Sequence, residues 1–176
     1  ECERVVQQLL REAGQEGIGE GLVTVAPEGL EVQADWANLE SPETYLGSEQ
    51  GRNYVAGAQP HALQLNEWTL SGDWTVEPRV SVLHEAGGRI RFRFHARDVH
   101  LVMGPRAPDK SVPFSVLVDG EPPGAAHGLD IDQQGHGTVA EQRLYQLIRE
   151  PGSITDRTFE ITYLAPGVEA YAFTFG

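Results

Sequence analysis

Apolar and polar residues alternate with a period of two along most of the chain after Trp68. The segment RIRFRFHA is the clearest case, because Ile90, Phe92 and Phe94 fall on one face and basic side chains fall on the other. Such alternation is typical of a β-strand with one buried face. We therefore predict that Ile90, Phe92 and Phe94 point into a hydrophobic core.

Other short alternating segments, each closed by turn residues, continue to the end of the chain. Asp119-Gly120 is a strong turn signal, and Gly87-Gly88 predicts a hairpin turn before the strand that starts at Arg89. This spacing of strands and turns predicts an antiparallel sandwich. The segments are WTLSGDWTVEP, RVSVLHEAGG, RIRFRFHARDVHLVMGP, VPFSVLVDGEPPG, RLYQLIREPG, RTFEITYLAPG and EAYAFTFG.

The start of the chain has a different period. In ECERVVQQLLREAGQ, apolar residues such as Val5 and Leu9 recur at helical spacing, and Gly14 follows as a C-terminal stop. We predict one α-helix over residues 1–15, a Gly- and Glu-rich linker over residues 16–40, and a β-sandwich of jelly-roll type over residues 41–176. The predicted fold class is thus all-β with one N-terminal helix.

Composition and charge exclude several partners. The chain has 176 residues, is 40% hydrophobic and carries a net charge of −13, so it is acidic and unsuited to the phosphate backbone of nucleic acid. It has no run of 18 apolar residues, so we expect no direct insertion of this fragment into a membrane. Cys2 is the one cysteine, which rules out an internal disulfide and a CxxC redox pair.

One loop contains oxygen ligands at metal-like spacing. In LDIDQQGHGTVAE, Asp130 and Asp132 occupy the first and third positions of an EF-hand template, although Gln134 and Gly137 depart from it. Calcium at Asp130 and Asp132 is the metal site that this loop suggests, and a polar hairpin turn is the alternative. A transition-metal site that adds His127 and His136 lacks the usual spacing. We expect no other cofactor.

Basic and catalytic patterns are less specific. The row of Arg89, Arg91, Arg93, His95 and Arg97 suits either an anion or pairing with acidic side chains on neighbouring strands. The GxSxG, HExxH and GxxxxGK[ST] motifs are all missing from the sequence. We therefore expect a protein that is not an enzyme, with a hydrolase as a remote alternative.

Aromatic residues in turn-like and loop-like segments suggest a carbohydrate site. Trp74 follows the tight turn SGD, in which Asp73 can accept hydrogen bonds from sugar hydroxyls, and Tyr45 lies in the loop-like segment SPETYLG. We predict Trp74, Tyr45 and Asp73 as carbohydrate-binding residues. The alternative is that such rings fill the core and rim of the sandwich.

Several segments in the same order resemble the C-terminal domain of DipZ-type proteins. They are SPETYLG, LNEWTLSGDWTVE, GGRIRFRFHARDVHLVMGP, VLVDGEPPGAAHGLDID, RLYQLIREPG and GVEAYAFTFG. DipZ-type proteins combine a membrane part similar to cytochrome c biogenesis proteins, a thioredoxin-like domain and this module. The resemblance implies a carbohydrate-binding-module-like sandwich. It also implies that residues 1–15 are the last helix of the preceding thioredoxin-like domain.

The expected function follows from this resemblance. The chain would be the non-catalytic module of an extracytoplasmic, membrane-anchored redox protein, in the periplasm or cell envelope. The redox activity would belong to the thioredoxin-like domain. We expect the module to bind a carbohydrate or another envelope component, as well as to adjoin that domain. The alternative is a structural domain that packs on the thioredoxin-like domain and has no ligand of its own.

Overall fold

A computed structural model of the protein describes residues 33–57 and 63–176, together with Ala13 alone. Apart from Ala13, the described residues all fall within one compact unit, Val32–Gly176. The predicted helix over residues 1–15 lies, except for Ala13, outside the described residues.

The described part of the chain contains eleven strands. They are β1 Thr44–Tyr45, β2 Trp68–Ser71, β3 Trp74–Val76, β4 Ser81–Leu83, β5 Arg89–Phe94, β6 Asp98–Pro105, β7 Val112–Val118, β8 His136–Val139, β9 Arg143–Arg149, β10 Arg157–Tyr163 and β11 Val168–Phe175. The helical content of the same residues is a single 3-10 turn, Gly124–Ala126.

The strands pair antiparallel into two sheets. Sheet A has the order β3-β4-β11-β6-β9, and β1 also pairs with β11, on the same side as β4. Sheet B has the order β2-β5-β10-β7-β8. From β4 onward the chain crosses repeatedly between the sheets. The predicted all-β antiparallel sandwich is thereby confirmed.

The core lies between the sheets and contains the predicted apolar row. Ile90, Phe92 and Phe94 on β5 are fully buried. The ring of Phe92 in sheet B lies 5.2 Å from that of Phe173 in sheet A, and Phe159 lies 5.6 Å from Phe173. The first contact is tilted and the second is edge-to-face, and ring contacts at these distances add to the free energy gained by burying the rings.

The basic row on the opposite face of β5 is paired with acidic side chains. Arg91 lies directly across from Glu160 on β10, and the two form an ion pair. Arg93 and His95 both contact Asp156. Of the two interpretations of this row, the structure therefore shows internal pairing.

One of the two predicted turns is confirmed. Asp119 and Gly120 both have positive φ, 52° and 85°, and Val118 and Glu121 exchange backbone hydrogen bonds across them. This is the geometry of a two-residue hairpin turn.

The hairpin predicted at Gly87-Gly88 is wrong, because β4 belongs to sheet A and β5 to sheet B. The turn instead crosses the sandwich and pairs with the end of β10. Gly87 N–H donates to Tyr163 O at 2.7 Å, and Tyr163 N–H donates to Gly88 O at 2.9 Å. A Cβ on Gly88 would lie 2.1 Å from Leu83 Cδ1, so a larger residue there would displace the buried Leu83 side chain.

Buried Asp98 connects the two ends of the described unit. Arg97 Nη2 and Arg149 Nε each lie 2.6 Å from its carboxylate. The Asp98 N–H donates to Gly176 O at 2.8 Å, and Arg97 Nη2 donates to Gln33 O at 2.8 Å. Two guanidinium groups on one buried carboxylate satisfy a charge that would otherwise be costly to bury. Residues near 33 and the end of β11 are therefore neighbours.

We predict that the two faces of β5 respond differently to truncation. Phe92→Ala should lower the free energy of unfolding by about 3–5 kcal/mol, because it leaves a cavity between the sheets. Arg89→Ala, on the exposed face of the same strand, should change it by no more than about 0.5 kcal/mol. Urea unfolding of both variants measures this, and equal losses would contradict the assignment of faces.

Candidate ligand-binding cleft

A surface cleft of 460 Å³ is formed by a single stretch of chain, residues 42–45 and 49–53. The stretch leaves β1 and turns back on itself between Gly47 and Gly51, where the Gly51 N–H donates to Gly47 O at 2.8 Å. A Cβ on Gly51 would lie 2.5 Å from that same oxygen. The glycines in SPETYLGSEQGRN thus permit the tight return that gives the cleft its shape.

The loop is seated on the segment before β4. A Cβ on Gly47 would lie 2.4 Å from Pro78 O, so the two backbones are in direct contact. Ser48 N–H donates to Glu77 O, and Glu49 N–H donates to Pro78 O, both at 2.9 Å. This contact between residues about 30 positions apart brings the side chain of Arg79 to the cleft.

The other end of the loop is held by Trp68 in the core. Its indole Nε1–H donates to Arg52 O at 2.7 Å, and its backbone N–H donates to Asn53 O at 3.1 Å. Asn53 has φ 59°, a left-handed conformation that asparagine tolerates better than most residues. The aromatic ring of Trp68 therefore acts as an internal anchor that positions Arg52 and Asn53.

A second cleft of 270 Å³ adjoins the first and shares Glu43, Tyr45 and Gln50 with it. Its floor includes Val102 and Ala172, which lie on the outer face of sheet A. The remaining lining residues are Gly47, Pro78, Arg79 and Tyr171. Tyr45 is 40% exposed and lines both clefts.

Charged side chains surround Tyr45. Arg79 and Glu49 approach within 3.8 Å, but both are well exposed, so this ion pair contributes little stability and leaves them available to a ligand. Glu43 and Arg52 complete a set of two carboxylates and two guanidinium groups. Such a set can accept and donate hydrogen bonds around an aromatic ring.

Tyr171 contributes a hydroxyl at the second cleft. Burial, followed by its hydrogen bond to Glu169, raises the pKa of Tyr171 to about 12. The hydroxyl donates to Glu169 Oε2 at 2.8 Å. Tyr171 therefore remains protonated at neutral pH, and its oxygen can still accept a hydrogen bond.

The structure does not bring the predicted carbohydrate residues together. Trp74 on β3 is partly buried, and its ring meets the edge of core residue Tyr163 with centroids 5.8 Å apart. Its Nε1–H donates to Ser71 O at 3.0 Å. Asp73 lies in the same turn, whereas Tyr45 lies on the outer face of sheet A. The role of Trp74 and Asp73 stays a prediction, but the geometry favours Tyr45.

The predicted calcium ligands are engaged in hydrogen bonds within the chain. Asp130 accepts from Arg143 Nη2 and from the Gln146 N–H, both at 2.7 Å. Asp132 accepts from the backbone of Gln134 and His136, and the His136 bond leads the effects that hold the Asp132 pKa below its ordinary value.

Asp132 thus stabilises the turn before β8, and Asp130 connects its loop to β9. Among the described residues, no group of three or more His, Cys, Asp or Glu side chains is arranged for a metal ion. Calcium binding by Asp130 and Asp132 stays a prediction, as does the absence of other cofactors.

Several cleft residues have no signal of their own in the sequence. Arg79 is remote from β1 in the chain and arrives through the Gly47 contact. Gln50, Arg52 and Asn53 belong to a loop without any periodic pattern. The glycines and proline around Tyr45 are the one signal that a built loop lies there.

A polar group lies beside the floor of the second cleft. His100 on β6 pairs in register with Gln146 on β9 and with Thr174 on β11, all on the outer face of sheet A. His100 Nδ1 lies 3.4 Å from Thr174 Oγ1. Burial, ahead of the opposing effect of Asp98 and the like-charge effects of Arg149 and Arg97, lowers the pKa of His100 below 6.5.

These features define a two-sheet antiparallel β-sandwich module that carries a pair of adjoining surface clefts around one exposed tyrosine. The chain belongs to the family described as "Thioredoxin like C-terminal domain", which matches residues 41–176. Together with the DipZ relatives given next, this match confirms the resemblance to the C-terminal domain of DipZ-type proteins.

Two curated relatives and one solved structure are similar to this chain. Protein DipZ of Mycobacterium bovis and that of Mycobacterium tuberculosis are each 25% identical over 146 residues, which cover 77% of this chain and 18% of each relative. The chain thus spans under a fifth of the length of the curated relatives it matches. A family two carbohydrate esterase from Clostridium thermocellum, solved with cellohexaose, matches 62% of this chain and 31% of its own at 14% identity and a TM-score of 0.50. That likeness concerns the fold alone.

We predict that the cleft depends on Gly47. Gly47→Ala should lower the free energy of unfolding by at least about 2 kcal/mol, because its Cβ would collide with the Pro78 carbonyl. Gly152→Ala is the matched control, since a Cβ there meets nothing within 4 Å. Thermal unfolding compares the two, and equal stability of both variants would contradict the seating of the loop.

We also predict that His100 titrates below 6.5, its ordinary pKa. The unfolded chain then binds this proton more readily than the folded chain. The stability that neutral His100 contributes is full above about pH 6.5 and is lost as the pH falls through its folded pKa. NMR titration of the His100 imidazole, assigned with His100→Gln, measures the midpoint. A midpoint at or above 6.5 would contradict the prediction.

Proposed function

We propose that this chain is a non-catalytic carbohydrate-binding module, and that Tyr45 is its aromatic platform. The observation that carries the proposal is the position of Tyr45, which is exposed and lines two adjoining clefts. A tyrosine ring presents a flat apolar face, and sugars present rows of C–H groups that pack well on such a face. The proposal includes a sandwich of jelly-roll, carbohydrate-binding-module-like type.

The side chains around Tyr45 suit sugar hydroxyls. Glu43 and Gln50 line both clefts together with Tyr45, and the backbone carbonyls of Arg52 and Asn53 are held by Trp68. A few positioned polar groups beside an apolar surface are the usual composition of a small-ligand site. Because Trp68 fixes the loop before a ligand arrives, less conformational entropy is lost on binding.

The proposed role within a longer protein follows from family membership. The module would belong to a membrane-anchored, extracytoplasmic protein whose redox chemistry resides in a preceding thioredoxin-like domain. Weak binding of an envelope glycan would keep that domain near its substrates, because tethering raises effective concentration to about the millimolar range for a short linker. Among the described residues there is no helix suited to span a membrane.

The structural alternative has one observation in its favour. Trp36 is 70% exposed and lies in a turn closed by Asp35 and Asn38, close to Gln33, which Arg97 holds. An exposed tryptophan where the chain reaches the sandwich suits contact with a neighbouring domain. In that case the module would position the thioredoxin-like domain without binding a ligand.

We predict that Tyr45→Ala abolishes retention on insoluble glycans. Stacking contributes about 0.5–1.5 kcal/mol beyond buried area, so affinity for soluble sugar should fall about tenfold. The assay is a pull-down on peptidoglycan, chitin and cellulose, with and without calcium, followed by calorimetric titration of the soluble oligomers. Circular dichroism checks that the variant stays folded.

Trp36→Ala is the matched control, because it removes an exposed ring that lines neither cleft. It should leave retention unchanged. Equal loss from both variants, or no binding by the natural chain up to millimolar sugar, would favour the structural alternative. If Trp74→Ala abolishes retention and Tyr45→Ala does not, the binding site lies at the β2–β3 turn and Tyr45 is not the aromatic platform.

A further inference from the structure

The outer face of sheet A carries an apolar row that runs across the strands. Tyr45 on β1 pairs in register with Ala172 on β11, Ala172 pairs with Val102 on β6, and Val102 pairs with Leu144 on β9. All four side chains lie on the face opposite the core. The residue next to each of them along its own strand is buried on the inner face. These residues are Thr44, Phe173, Leu101 and Tyr145.

This row continues the second cleft. Ala172 and Val102 form part of the cleft floor, and Leu144, which is partly exposed, extends the same line to the last strand of the sheet. Neighbouring strands lie about 4.8 Å apart, so three intervals from β1 to β9 give a row of about 14 Å. The first cleft adds further length on the other side of Tyr45.

We infer that the ligand is a linear, uncharged polysaccharide chain that lies across the strands of sheet A and passes over Tyr45. The inference rests on the proposed function and specifies its ligand. A binder of single sugars or of chain ends needs one cleft that encloses the ligand. Here two clefts meet at the shared ring, and the apolar row leads away from it.

The distribution of charge on the protein favours an uncharged ligand. The protein carries a net charge of −13, which repels polyanionic glycans at long range. Close to Tyr45 the charges balance, with Glu43 and Glu49 against Arg52 and Arg79. The site therefore offers hydrogen bonds of both kinds without a net charge to attract an acidic sugar.

The test is a length series with the full chain. Glucose and N-acetylglucosamine oligomers with β-1,4 links, from one to six units, are titrated by calorimetry. We expect the dissociation constant to fall at least about tenfold from the dimer to the hexamer of one series. Adding a polyuronate as competitor should not displace the hexamer.

Two variants locate the far end of the row. Leu144→Asn should weaken hexamer binding severalfold and leave dimer binding unchanged. Leu164→Asn is its control, because Leu164 is 54% exposed and lies in the turn between β10 and β11, outside the row. Thermal unfolding confirms that both variants are folded.

The outcomes separate the two levels of the proposal. Dimer and hexamer of equal affinity, or equal effects of Leu144→Asn and Leu164→Asn on the hexamer, would overturn the extended track but leave sugar binding in place. Displacement by the polyuronate would overturn the uncharged ligand. If neither sugar series binds at any length, the proposed function fails with it.

Discussion

The contact of Phe92 with Phe173 and its neighbours holds the two sheets together, and the rest of the molecule is arranged around it. Phe92 comes from β5, which lies between β2 and β10 in sheet B, and Phe173 comes from β11, the central strand of sheet A. Phe159 and Phe175 add further ring contacts at 5.6 and 6.1 Å from Phe173. Because strand side chains alternate, burying Phe173 forces Ala172 to the outer face. The packing of the core therefore also sets the floor of the cleft.

A β-bulge in β11 affects both the core and the second cleft. The pairing of β11 with β6 shifts register between Ala170 and Ala172, so that Tyr171 is the extra residue. A bulge of this kind redirects a side chain and bends the strand. Val168, Ala170 and Phe173 can therefore all be buried, although strict alternation would turn one of them outward. Tyr171 is left at the edge of the second cleft, where its hydroxyl meets Glu169.

The sequence predicts the central strands well and the cleft poorly, for a physical reason. The rows in β5, β7 and β10 are local patterns, because one buried face imposes a period of two on the residues of a single strand, whereas the bulge at Tyr171 interrupts that period in β11. The cleft instead depends on contacts between distant residues, such as Gly47 on Pro78 and Trp68 on Arg52. The Gly87-Gly88 turn shows the same limit, since two glycines permit a tight turn but do not say which sheet the chain enters next.

The cluster around Asp98 has a consequence for the order in which the strands could be connected. Its hydrogen bonds tie Gly176, at the end of β11, to the same corner of sheet A at which Arg97 holds Gln33. The same proximity makes the module a candidate for circular permutation, with a short linker between its ends and new termini in an exposed turn such as Asp119-Gly120.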